Sequence, residues 1–479
     1  MSYYAIVTKL KDARKHPNAD KLQLATVFGN TVCVSLDYVE DQLGVYFPTD
    51  GKLSIEFAEA NNLLRKKDAE GNNIGGYMDP EKRNVTAIKL RGEKSDGLFL
   101  PLNCLESFGD ISKLREGDRI DTFNGQLICE KYIPRTQARR GGYSDGNYTR
   151  KTKKKADIAP LFKEHADTEQ LAYNLGAFKP GDDVEVTLKM HGTSQRTGYL
   201  KVLTGYKKTL LDRILRRPGT PIYDWGYVCG TRRVILDTYD GGFYGSNAFR
   251  EQHHNNFIGK LWKGETIYYE VVGFTDTGAP IMRTGNNEKL GKDFVKQYGK
   301  ETVFSYGCDP SGVKMLYGED AVEGPYAIEN VVPVSDVYVY RMTMINEDGD
   351  VVEYTPDFMR YRCEQIGVKT VPVFGKGTLS SDRFHFTAPD GYDHDYLIGE
   401  GDIGSMVMRC AEDYFGGPDP VGKTHTKEGV VVRIVNRPKF AAFKAKNFEF
   451  KVLEGLIKTD ASEPDIEEAQ DVADDSAEN

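Results

Sequence analysis

The sequence predicts an α+β protein with more than one domain, in which a small β-barrel precedes a larger domain of antiparallel sheets. At 479 residues the chain is too long for one ordinary hydrophobic core. Short runs of apolar residues with the spacing of β-strands recur along most of the sequence. A basic, glycine-containing segment after residue 125 separates two groups of these runs.

Residues 1–125 contain short strand-like runs bounded by glycine, aspartate and asparagine. The clearest runs are TVCVSLDYV from Thr31, GVYFPT from Gly44, NVTAIKLRG from Asn84 and GLFLPL from Gly97. Short strands with frequent turns are typical of small barrels, so a β-barrel is predicted here.

Residues 126–157 are predicted to be a basic linker. Between residues 134 and 155 the only acid is Asp145, whereas eight residues are basic. The basic residues are Arg135, Arg139, Arg140, Arg150, Lys151, Lys153, Lys154 and Lys155. Such a segment can be a solvated connector or an arm that contacts phosphates, because counterion release favours any mobile cationic segment beside a polyanion. The sequence leaves both interpretations open.

Residues 158–458 form the second predicted domain. Asp167 as N-cap, Leu171 and Leu175 on one face and Gly176 as the stop predict a short amphipathic helix near its start. The strand-like runs that follow are DVEVTLKM from Asp183, GYVCGTRRVIL from Gly226, TIYYEVVGF from Thr266, DVYVYRMTMI from Asp336 and GVVVRIV from Gly429. Helical or looped segments separate them, which predicts an α+β domain built on antiparallel sheets.

Residues 459–479 are predicted to be an acidic, disordered tail. They contain nine acidic residues and no basic one, so the net charge of −9 belongs to the tail and the preceding residues have 63 basic and 63 acidic side chains. A uniformly charged segment with few apolar residues does not fold by itself. The functional alternative is that the tail competes with a polyanionic ligand for a basic groove.

Cysteine and histidine usage predicts a reducing, cytoplasmic location without a structural metal site. The seven cysteines are scattered and form no C-x-x-C pair. His253 and His254 are adjacent but have no nearby cysteine or helical i, i+4 partner, so they are interpreted as surface polar residues. The sequence has no apolar run long enough to cross a bilayer, and its start lacks the pattern of a signal peptide.

The string LKMHGTS, at residues 188–194, places a lysine at the end of a predicted strand. Lys189 is followed by a glycine and two small hydroxyl residues, which offers a nucleophilic amine beside a backbone that a nucleotide can approach closely. By itself a K-x-x-G pattern occurs by chance in most long proteins, and an isolated lysine is usually a solvated surface charge. Its interpretation therefore depends on the strings that follow.

Five further strings follow in order: GTR at 230–232, YYEVVG at 268–273, VYVY at 337–340, KEGVVVR at 427–433 and FKAKN at 443–447. With these six motifs the chain resembles the RNA ligase branch of the covalent nucleotidyltransferases, a superfamily that also contains DNA ligases and mRNA capping enzymes. The resemblance covers roughly residues 165–455.

The resemblance implies that ATP adenylylates Lys189. It also implies that Ser194 contacts the ribose, Arg232 contacts the nucleotide phosphate and the incoming 5′-phosphate, and Tyr340 stacks on adenine. The remaining implied nucleotide-binding residues are His191, Gly192 and, through its backbone, Leu188. This sequence departs from the family at Leu188, which replaces a frequent Glu, and at Arg341, where relatives often have Asp.

Two lysines of the last motif are predicted to act on the phosphates. Lys444 and Lys446 are two residues apart on a predicted strand and therefore project from the same face. There they can neutralise the charge of an α-phosphate and disfavour the protonated form of Lys189, which must be a neutral amine to attack. Without the other motifs, a solvated strand edge would be the default interpretation.

Glu270 and Glu428 are predicted catalytic carboxylates and ligands of Mg²⁺, for which Mn²⁺ can substitute. Each lies within an apolar strand, where a carboxylate is costly unless it is hydrogen-bonded, paired or bound to a cation. Carboxylate and phosphate oxygens suit Mg²⁺, which would stabilise the departing pyrophosphate. A structural salt bridge, such as Glu428 with Arg433, remains the alternative.

A second resemblance lies near the N-terminus. HPNADKL at 16–22 and KLRGEKSDGL at 89–98 resemble the paired signatures of tRNA-binding OB modules attached to aminoacyl-tRNA synthetases. An OB-fold barrel before a ligase domain resembles the subgroup of RNA ligases that seals nicks with an RNA 3′-hydroxyl end. The structural alternative is that HPNADKL only forms a turn into a strand.

Together the resemblances imply an ATP-dependent RNA ligase with an N-terminal OB-fold and an antiparallel-sheet adenylyltransferase domain. It would join a 3′-hydroxyl RNA end to a 5′-phosphate end, in a nicked duplex, for nick sealing or RNA repair. K-x-H-G in place of K-x-D-G argues against a capping guanylyltransferase and a DNA ligase. The alternative from another class is a non-catalytic RNA-binding protein with a decayed ligase domain, and the complete set of charged motif residues argues against it.

Overall fold

The chain folds into two compact units, as shown by a computed structural model. Unit 1 comprises residues 1–137, 286–300 and 448–479, and unit 2 comprises residues 138–285 and 301–447. The structure describes residues 3–49, 51–66, 75–132, 158–166, 168–210, 219–236, 238–239, 244, 246–312, 333–346, 348–399, 401–453 and 457–458.

Unit 1 consists of short strands around an apolar core. Its strands before the linker are β1 (Ala5–Lys9), β2 (Lys11–Lys15), β3 (Leu22–Val27), β4 (Asn30–Ser35), β5 (Leu43–Phe47), β6 (Gly51–Leu53), β7 (Asn84–Val85), β8 (Ala87–Leu90), β9 (Glu93–Asp96), β10 (Leu98–Pro101), β11 (Arg119–Ile120), β12 (Thr122–Phe123), β13 (Gln126–Leu127) and β14 (Cys129–Lys131). They form a four-stranded sheet, β10-β5-β1-β11, and several sheets of two or three strands. Val45, Phe47 and Leu105 are among the fully buried core residues.

The strands predicted for the N-terminal region are present, but the strands of the described residues do not close into a barrel. The OB-fold therefore stays a prediction. The described strands also continue past the predicted boundary at residue 125, because Ile128 and Cys129 are fully buried in the core and β14 pairs with β6. Residues 133–157, most of the predicted basic linker, and residues 459–479, the predicted acidic tail, lie outside the described residues.

Unit 2 is built on two seven-stranded sheets, and its strands are mostly antiparallel. The strands are β15 (Glu169–Gln170), β16 (Asp183–Leu188), β17 (Thr193–Lys207), β18 (Thr220–Thr231), β19 (Ile235–Leu236), β20 (Glu265–Gly273), β21 (Gly285–Asn286), β22 (Glu301–Thr302), β23 (Ser335–Ile345), β24 (Val351–Glu353), β25 (Lys369–Thr370), β26 (Val373–Leu379), β27 (Arg383–Thr387), β28 (Asp393–Leu397), β29 (Gly429–Ile434) and β30 (Ala441–Lys446). Sheet 1 has the order β15-β30-β29-β16-β26-β27-β28. Sheet 2 has the order β19-β18-β17-β20-β23-β24, with β25 beside β23. The α+β class and the predicted strands of this region are confirmed.

The α-helices of the described residues are short. They are α1 (Ile55–Ala60), α2 (Ala248–Asn255), α3 (Lys292–Tyr298), α4 (Pro356–Ile366), α5 (Ile403–Asp413) and α6 (Phe448–Leu453). Among these residues, no helix combines the length and apolar character that a membrane crossing requires. The predicted amphipathic helix after Asp167 is wrong: Gln170 ends strand β15, and two separate 3-10 turns follow, at Leu171–Tyr173 and Leu175–Ala177. Asp167 itself lies outside the described residues.

Each sheet of unit 2 buries one face under helices and turns the other face away from them. In sheet 1, Val184 and Val186 pack in a core with Met406 of α5. In sheet 2, Ile267 and Tyr269 pack with residues of α2 and α4. Because successive side chains of a strand alternate between faces, the residues next to these core residues point to the opposite faces.

Two late segments of the chain belong to unit 1. Strand β31 (Ile457–Lys458) pairs in parallel with β8, and Lys451 of α6 forms an ion pair with Asp96 at 2.7 Å. Val452 packs with Ala87. The predicted domain of residues 158–458 therefore contributes residues to both compact units.

Candidate active site

Lys189 directly follows strand β16, in the middle of sheet 1. Leu188, the last residue of the strand, is buried, and its N–H donates to the carbonyl of Pro372 at 2.9 Å. The N–H of Lys189 donates to the carbonyl of Gly429 at 3.0 Å and so continues the pairing with β29. A backbone contact from Leu188 to a nucleotide would therefore have to use its carbonyl.

The two lysines of the last motif lie on the same face of sheet 1. Lys446 is the cross-strand partner of Gly429, and Lys444 is the partner of Val431. Gly429 thus separates Lys189 from Lys446. It has a φ of 151°, and a Cβ atom there would lie 2.0 Å from the carbonyl oxygen of Ala445. The absence of a side chain at Gly429 leaves the two lysines open to each other across the strand.

Glu428 brings the amines together. Its Oε1 atom lies 2.5 Å from Nζ of Lys189 and 3.2 Å from Nζ of Lys446. Burial by itself would raise the pKa of the Glu428 carboxyl, but the two ammonium groups outweigh burial and hold the pKa well below its usual range. Nδ1 of His191 is 3.6 Å from Oε2, beyond hydrogen-bond distance, and Oε2 has no hydrogen-bond partner among the described residues. One carboxylate oxygen is thus shared by two cations, whereas the other is buried without a hydrogen-bond partner among the described residues.

The alternative ion pair between Glu428 and Arg433 is wrong. Arg433 instead donates to the carbonyl of Tyr354 at 3.0 Å and lies 3.9 Å from a carboxylate oxygen of Glu353. Glu353 also forms a bidentate ion pair with Arg341. Arg341, the residue that departs from the family pattern, therefore has a structural partner.

The loop after Lys189 is fixed against sheet 2 and its neighbours. The N–H of His191 donates to the hydroxyl of Tyr306 at 2.8 Å. At Gly192, an added Cβ atom would lie 2.4 Å from the carbonyl oxygen of Val271 and 2.9 Å from Cγ of Glu270. The glycine is therefore required by the packing of the loop on β20, independently of any contact with a nucleotide.

Ser194 and Glu270 face each other on adjacent strands of sheet 2. They are cross-strand partners on β17 and β20, and the Ser194 hydroxyl donates to Oε2 of Glu270 at 3.2 Å. Burial raises the pKa of Glu270 to about 7, although the nearby Lys189 cation opposes the rise. A carboxyl with this pKa is readily ionised when a cation binds beside it.

Tyr340 lies at a bulge of β23. Its neighbours Val339 and Arg341 pair with Tyr269 and Tyr268, and Tyr340 has no partner in this register. The Tyr340 hydroxyl is 2.5 Å from Nδ1 of His165. The bulge directly precedes Arg341, where the sequence departs from the family pattern.

Arg232 follows directly on β18. Its carbonyl accepts a hydrogen bond from the Arg196 guanidinium at 2.9 Å. Burial raises the pKa of the Tyr340 hydroxyl, and the Arg232 cation and the Ser194 hydroxyl are close enough to oppose the rise. The structure thus gathers Ser194, Arg232 and Tyr340 around one region of sheet 2.

Arg250 is a site residue that sequence reasoning missed. It lies on α2, is 4% exposed, and donates to the carbonyl of Ser194 at 3.2 Å and to Oγ1 of Thr193 at 2.6 Å. The amide of Gln195 donates back to the carbonyl of Arg250 at 2.7 Å. Arg250 thus holds the strand that carries Ser194. The only sequence signal was an arginine beside Phe249 on a buried helix face.

The interpretation of His253 and His254 as surface residues is wrong. Both are buried on α2, at 3% and 8% exposure. Nε2 of His253 lies 2.8 Å from the Ser335 hydroxyl, and Nδ1 of His254 lies 3.1 Å from the Thr197 hydroxyl. Burial lowers the pKa of each histidine to about 4, so both are neutral near pH 7.

A divalent cation fits this site only together with a phosphate ligand. The described residues contain no group of three or more histidine, cysteine or acidic side chains that could hold a metal ion. Glu428 Oε2 is buried without a hydrogen-bond partner, and Glu270 is a buried carboxyl near the same lysine. Mg²⁺ commonly binds one or two carboxylates and takes its other ligands from water and phosphates. Glu270 and Glu428 suit that mode and do not suit an all-protein metal site.

The two N-terminal signatures lie against each other in unit 1. Nε2 of His16 is 3.3 Å from the carbonyl of Leu90, and the amide of Asn18 donates to the carbonyl of Arg91 at 2.8 Å. These contacts join the first signature to the second and give its polar residues a structural role. Whether this surface also contacts RNA stays a prediction.

The structure is similar to solved structures of an RNA ligase from Naegleria gruberi. A mutant of that ligase with ATP and Mn has a TM-score of 0.51 at 15% identity, over 94% of this chain and 99% of the ligase. Another mutant, with AMP and Mn, has a TM-score of 0.50 at 16% identity, over 94% and 98% of the two chains. No protein-family model matches the sequence, and no curated protein is similar to it. The chain therefore shares the fold of this RNA ligase over nearly its whole length.

Proposed function

We propose that this protein is an ATP-dependent RNA ligase that uses Lys189 as its nucleophile. The observation that carries the proposal is the cluster of Lys189, Glu428 and Lys446, in which a half-buried amine is held at 2.5 Å by a buried carboxylate beside a second amine. Glu270 lies close enough to Lys189 for the charge of the lysine to lower the pKa of Glu270, and the Ser194 hydrogen bond acts in the same direction. The shared fold with an RNA ligase that has been solved with ATP and Mn supports this proposal.

The proposed reaction consists of three phosphoryl transfers. The neutral Lys189 amine attacks the α-phosphorus of ATP, so that a nitrogen–phosphorus bond forms as the bond to pyrophosphate breaks. A 5′-phosphate oxygen of the RNA then displaces the lysine and takes up AMP. Finally, the 3′-hydroxyl attacks the activated 5′-phosphate, which forms the phosphodiester and releases AMP.

The residues of the cluster position Lys189 and neutralise charge. Glu428 holds Nζ of Lys189 in place, and Lys446 contacts the same carboxylate oxygen. Lys444, on the same face of sheet 1, is assigned to the phosphate oxygens. A bound Mg²⁺ or Mn²⁺ would neutralise further phosphate charge, with Glu270 and Glu428 as its protein ligands. Preorganised charge of this kind is the main requirement of phosphoryl transfer.

The nucleotide would bind between these lysines and sheet 2. Ser194 is assigned to the ribose, Tyr340 to the adenine ring, and Arg232 to the phosphates. His191, Gly192 and the Leu188 backbone shape the loop and strand end beside Lys189. The predicted substrate is a nicked duplex with a 3′-hydroxyl RNA end and a 5′-phosphate end. The N-terminal unit, as an OB-type module, would bind part of this substrate. Nick sealing or RNA repair in the cytoplasm is the corresponding biological role.

The test is transfer of label from ATP to the intact protein. With Mg²⁺ or Mn²⁺, α-labelled ATP should label the chain at Lys189, whereas γ-labelled ATP and α-labelled GTP should not. Addition of nicked RNA should then discharge the label and yield sealed product. Absence of an adduct with either metal, or an undiminished adduct in Lys189→Ala, would overturn the proposal. RNA binding without an adduct would favour the alternative of a non-catalytic RNA-binding protein.

A further inference from the structure

Both tryptophans of the chain lie on one surface of unit 2, outside the candidate active site. Trp225 is on β18, and Trp262 lies three residues before Glu265, the first residue of β20. Nζ of Lys263 lies 5.6 Å from the centre of the Trp225 ring. The Trp262 ring lies 6.5 Å from that of Phe358, which stacks at 6.1 Å on Tyr361. We call Trp225, Lys263, Trp262, Phe358 and Tyr361 the aromatic band.

The aromatic band is exposed to an extent that is unusual for its residue types. Trp262 is 46% exposed, Phe358 39% and Tyr361 52%. Contiguous exposed aromatic side chains of this kind mark a binding surface more often than isolated ones do. Their exposure therefore indicates a ligand that can stack on aromatic rings.

Trp262 is held as a rigid platform. The Arg362 guanidinium lies 3.7 Å from the centre of its ring, and this arginine forms two hydrogen bonds of 2.8 Å with Glu265. Glu265 also accepts the backbone N–H of Trp262 at 2.7 Å. One ring face is thus covered by a fixed cation, and 46% of the residue remains exposed to a ligand.

The charge around the aromatic band is complementary to a polyanion. Lys260 and Lys263 are exposed beside Trp262, and among the described residues neither forms an ion pair with a carboxylate. Lys201 adds a third cation, 4.8 Å from the centre of the Trp225 ring, although Asp224 lies 3.8 Å from it. Open aromatic faces combined with lysines are the features that bind single-stranded nucleic acid, because any base can stack and the phosphates are neutralised.

We propose that the aromatic band binds an unpaired RNA strand that extends from the substrate, with bases on Trp262 and Tyr361 and phosphates on Lys260 and Lys263. The choice of RNA rests on the proposed function. Trp262 and Glu265 are joined by a turn, in which the N–H of Glu265 donates to the carbonyl of Trp262 at 3.0 Å. From Glu265 to Glu270 the five residue steps of β20 span roughly 16 Å at about 3.3 Å per residue. Only a substrate with an unpaired arm that crosses this distance would reach the aromatic band.

Tryptophan fluorescence tests the aromatic band directly, because the chain has no tryptophan elsewhere. Addition of RNA with a long unpaired arm should quench the emission, and the same RNA with a short arm should quench it much less. A Trp225→Phe variant, in which Trp262 is the only reporter, should keep the quenching. Lack of quenching by saturating long-arm RNA in this variant would overturn the stacking on Trp262.

Matched variants test whether the contact contributes to binding. In Trp262→Ala and Tyr361→Ala the Kd for long-arm RNA should rise roughly tenfold, as expected for the loss of one base–aromatic stack. The control is Tyr392→Ala: Tyr392 is 65% exposed but lies beside Asp390 and Asp393, so its loss should leave the Kd unchanged. Thermal unfolding of all variants would separate binding from folding.

The outcomes distinguish this proposal from the proposed function. Formation of the protein–AMP adduct needs no RNA, so it should proceed equally in wild type and in the aromatic-band variants. If the wild type forms the adduct and seals RNA while Trp262→Ala and Tyr361→Ala bind long-arm RNA normally, the aromatic band proposal is overturned alone. If no adduct forms but long-arm RNA still binds in a Trp262-dependent way, the proposed function fails and the aromatic band stands.

Discussion

Two buried glutamates of unit 2 have opposite surroundings. Glu265, at 0% exposure, accepts two hydrogen bonds from Arg362, one from the Tyr354 hydroxyl at 3.0 Å and one from the N–H of Trp262. Glu428, at 1% exposure, shares one oxygen between two lysines and has no hydrogen-bond partner on the other oxygen among the described residues. Both carboxylates are paired with cations, but only the first is fully satisfied.

This difference separates structural from functional ion pairs. A fully hydrogen-bonded buried pair holds the fold together and has no capacity for another ligand. A buried carboxylate is costly in free energy when one of its oxygens has no hydrogen-bond partner, unless a ligand binds that oxygen. Glu428 has two neighbouring amines and a second buried carboxyl nearby. Incomplete satisfaction at Glu428 therefore points to a site for phosphate and cation, whereas burial or pairing alone would not.

The largest expected effect is at Lys189. If this effect were absent, the distinction between Glu265 and Glu428 would be contradicted. Lys189→Ala removes the only group proposed to bond covalently to AMP, so labelled adduct should fall below detection. The protein should stay folded, because Lys189 is partly exposed and Glu428 keeps Lys446 as a partner. The measurement is transfer of α-label from ATP, with circular dichroism as the folding control. Residual adduct on another lysine would show that Glu428 marks a different kind of site.

The second prediction contrasts the two glutamates directly. Glu428→Gln should reduce the rate of adduct formation by roughly two to four orders of magnitude, as for the loss of preorganised charge, and should change stability by no more than about 1–2 kcal/mol. Glu265→Gln should lower the free energy of unfolding by about 3–5 kcal/mol, because it leaves the Arg362 cation buried without its partner. Urea unfolding and single-turnover adenylylation measure the two effects. If Glu428→Gln unfolded the protein and Glu265→Gln only slowed adenylylation, the assignment would be reversed.

The third prediction concerns the two lysines of β30. Lys446→Ala should slow adduct formation by roughly two orders of magnitude or more, because Lys446 contacts Glu428 directly. Lys444→Ala should slow the transfer of AMP to RNA or the final sealing step at least as much as it slows adduct formation, because Lys444 lies two residue pairs further along the strands from Lys189 than Lys446 does. Rates of the three steps, measured separately, test this difference. Equal losses at every step in both variants would mean that the two lysines share a single role.

The sequence predicted the strands that carry the candidate site, but it did not predict the tertiary contacts around that site. The strand runs are local patterns, whereas the register of β16, β29 and β30, which places Lys189 and Lys446 on either side of Gly429, is a long-range feature. Glu428 directly precedes Gly429 and contacts both amines. Arg250 could not be predicted, since it reaches Thr193 and Ser194 from a helix more than fifty residues later. Such a contact depends on tertiary packing, which single-sequence patterns do not contain.

The same limit explains the errors elsewhere in the chain. The helix predicted after Asp167 relied on local capping signals, but Gln170 pairs with Lys444 on β30 and the fully buried Leu171 lies in a 3-10 turn. The polar character of His253 and His254 indicated the surface, yet each buried ring has a hydroxyl within hydrogen-bond distance of one ring nitrogen. The inclusion of residues 448–458 in unit 1 likewise depends on long-range contacts with β8 and Asp96.

The last prediction concerns pH dependence and two buried histidines, each of which lies within hydrogen-bond distance of a hydroxyl. The pKa of His253 and of His254 is about 4 in the folded protein, against 6.5 for an ordinary histidine. Between these values the unfolded chain binds more protons than the folded one, so stability is fully present above pH 6.5 and is lost as pH falls towards 4. The upper limit of this loss is roughly 3 kcal/mol for each histidine.

His253→Gln and His254→Asn keep a polar atom near Nε2 and Nδ1 but cannot take up the proton. The double variant should therefore lose less stability on acidification than the wild type, although it should be somewhat less stable at neutral pH. Urea unfolding above pH 6.5 and near pH 4.5 measures the difference, with His394→Gln, exposed on β28, as the control. An identical pH slope in the wild type and the double variant would show that other groups cause the acid sensitivity.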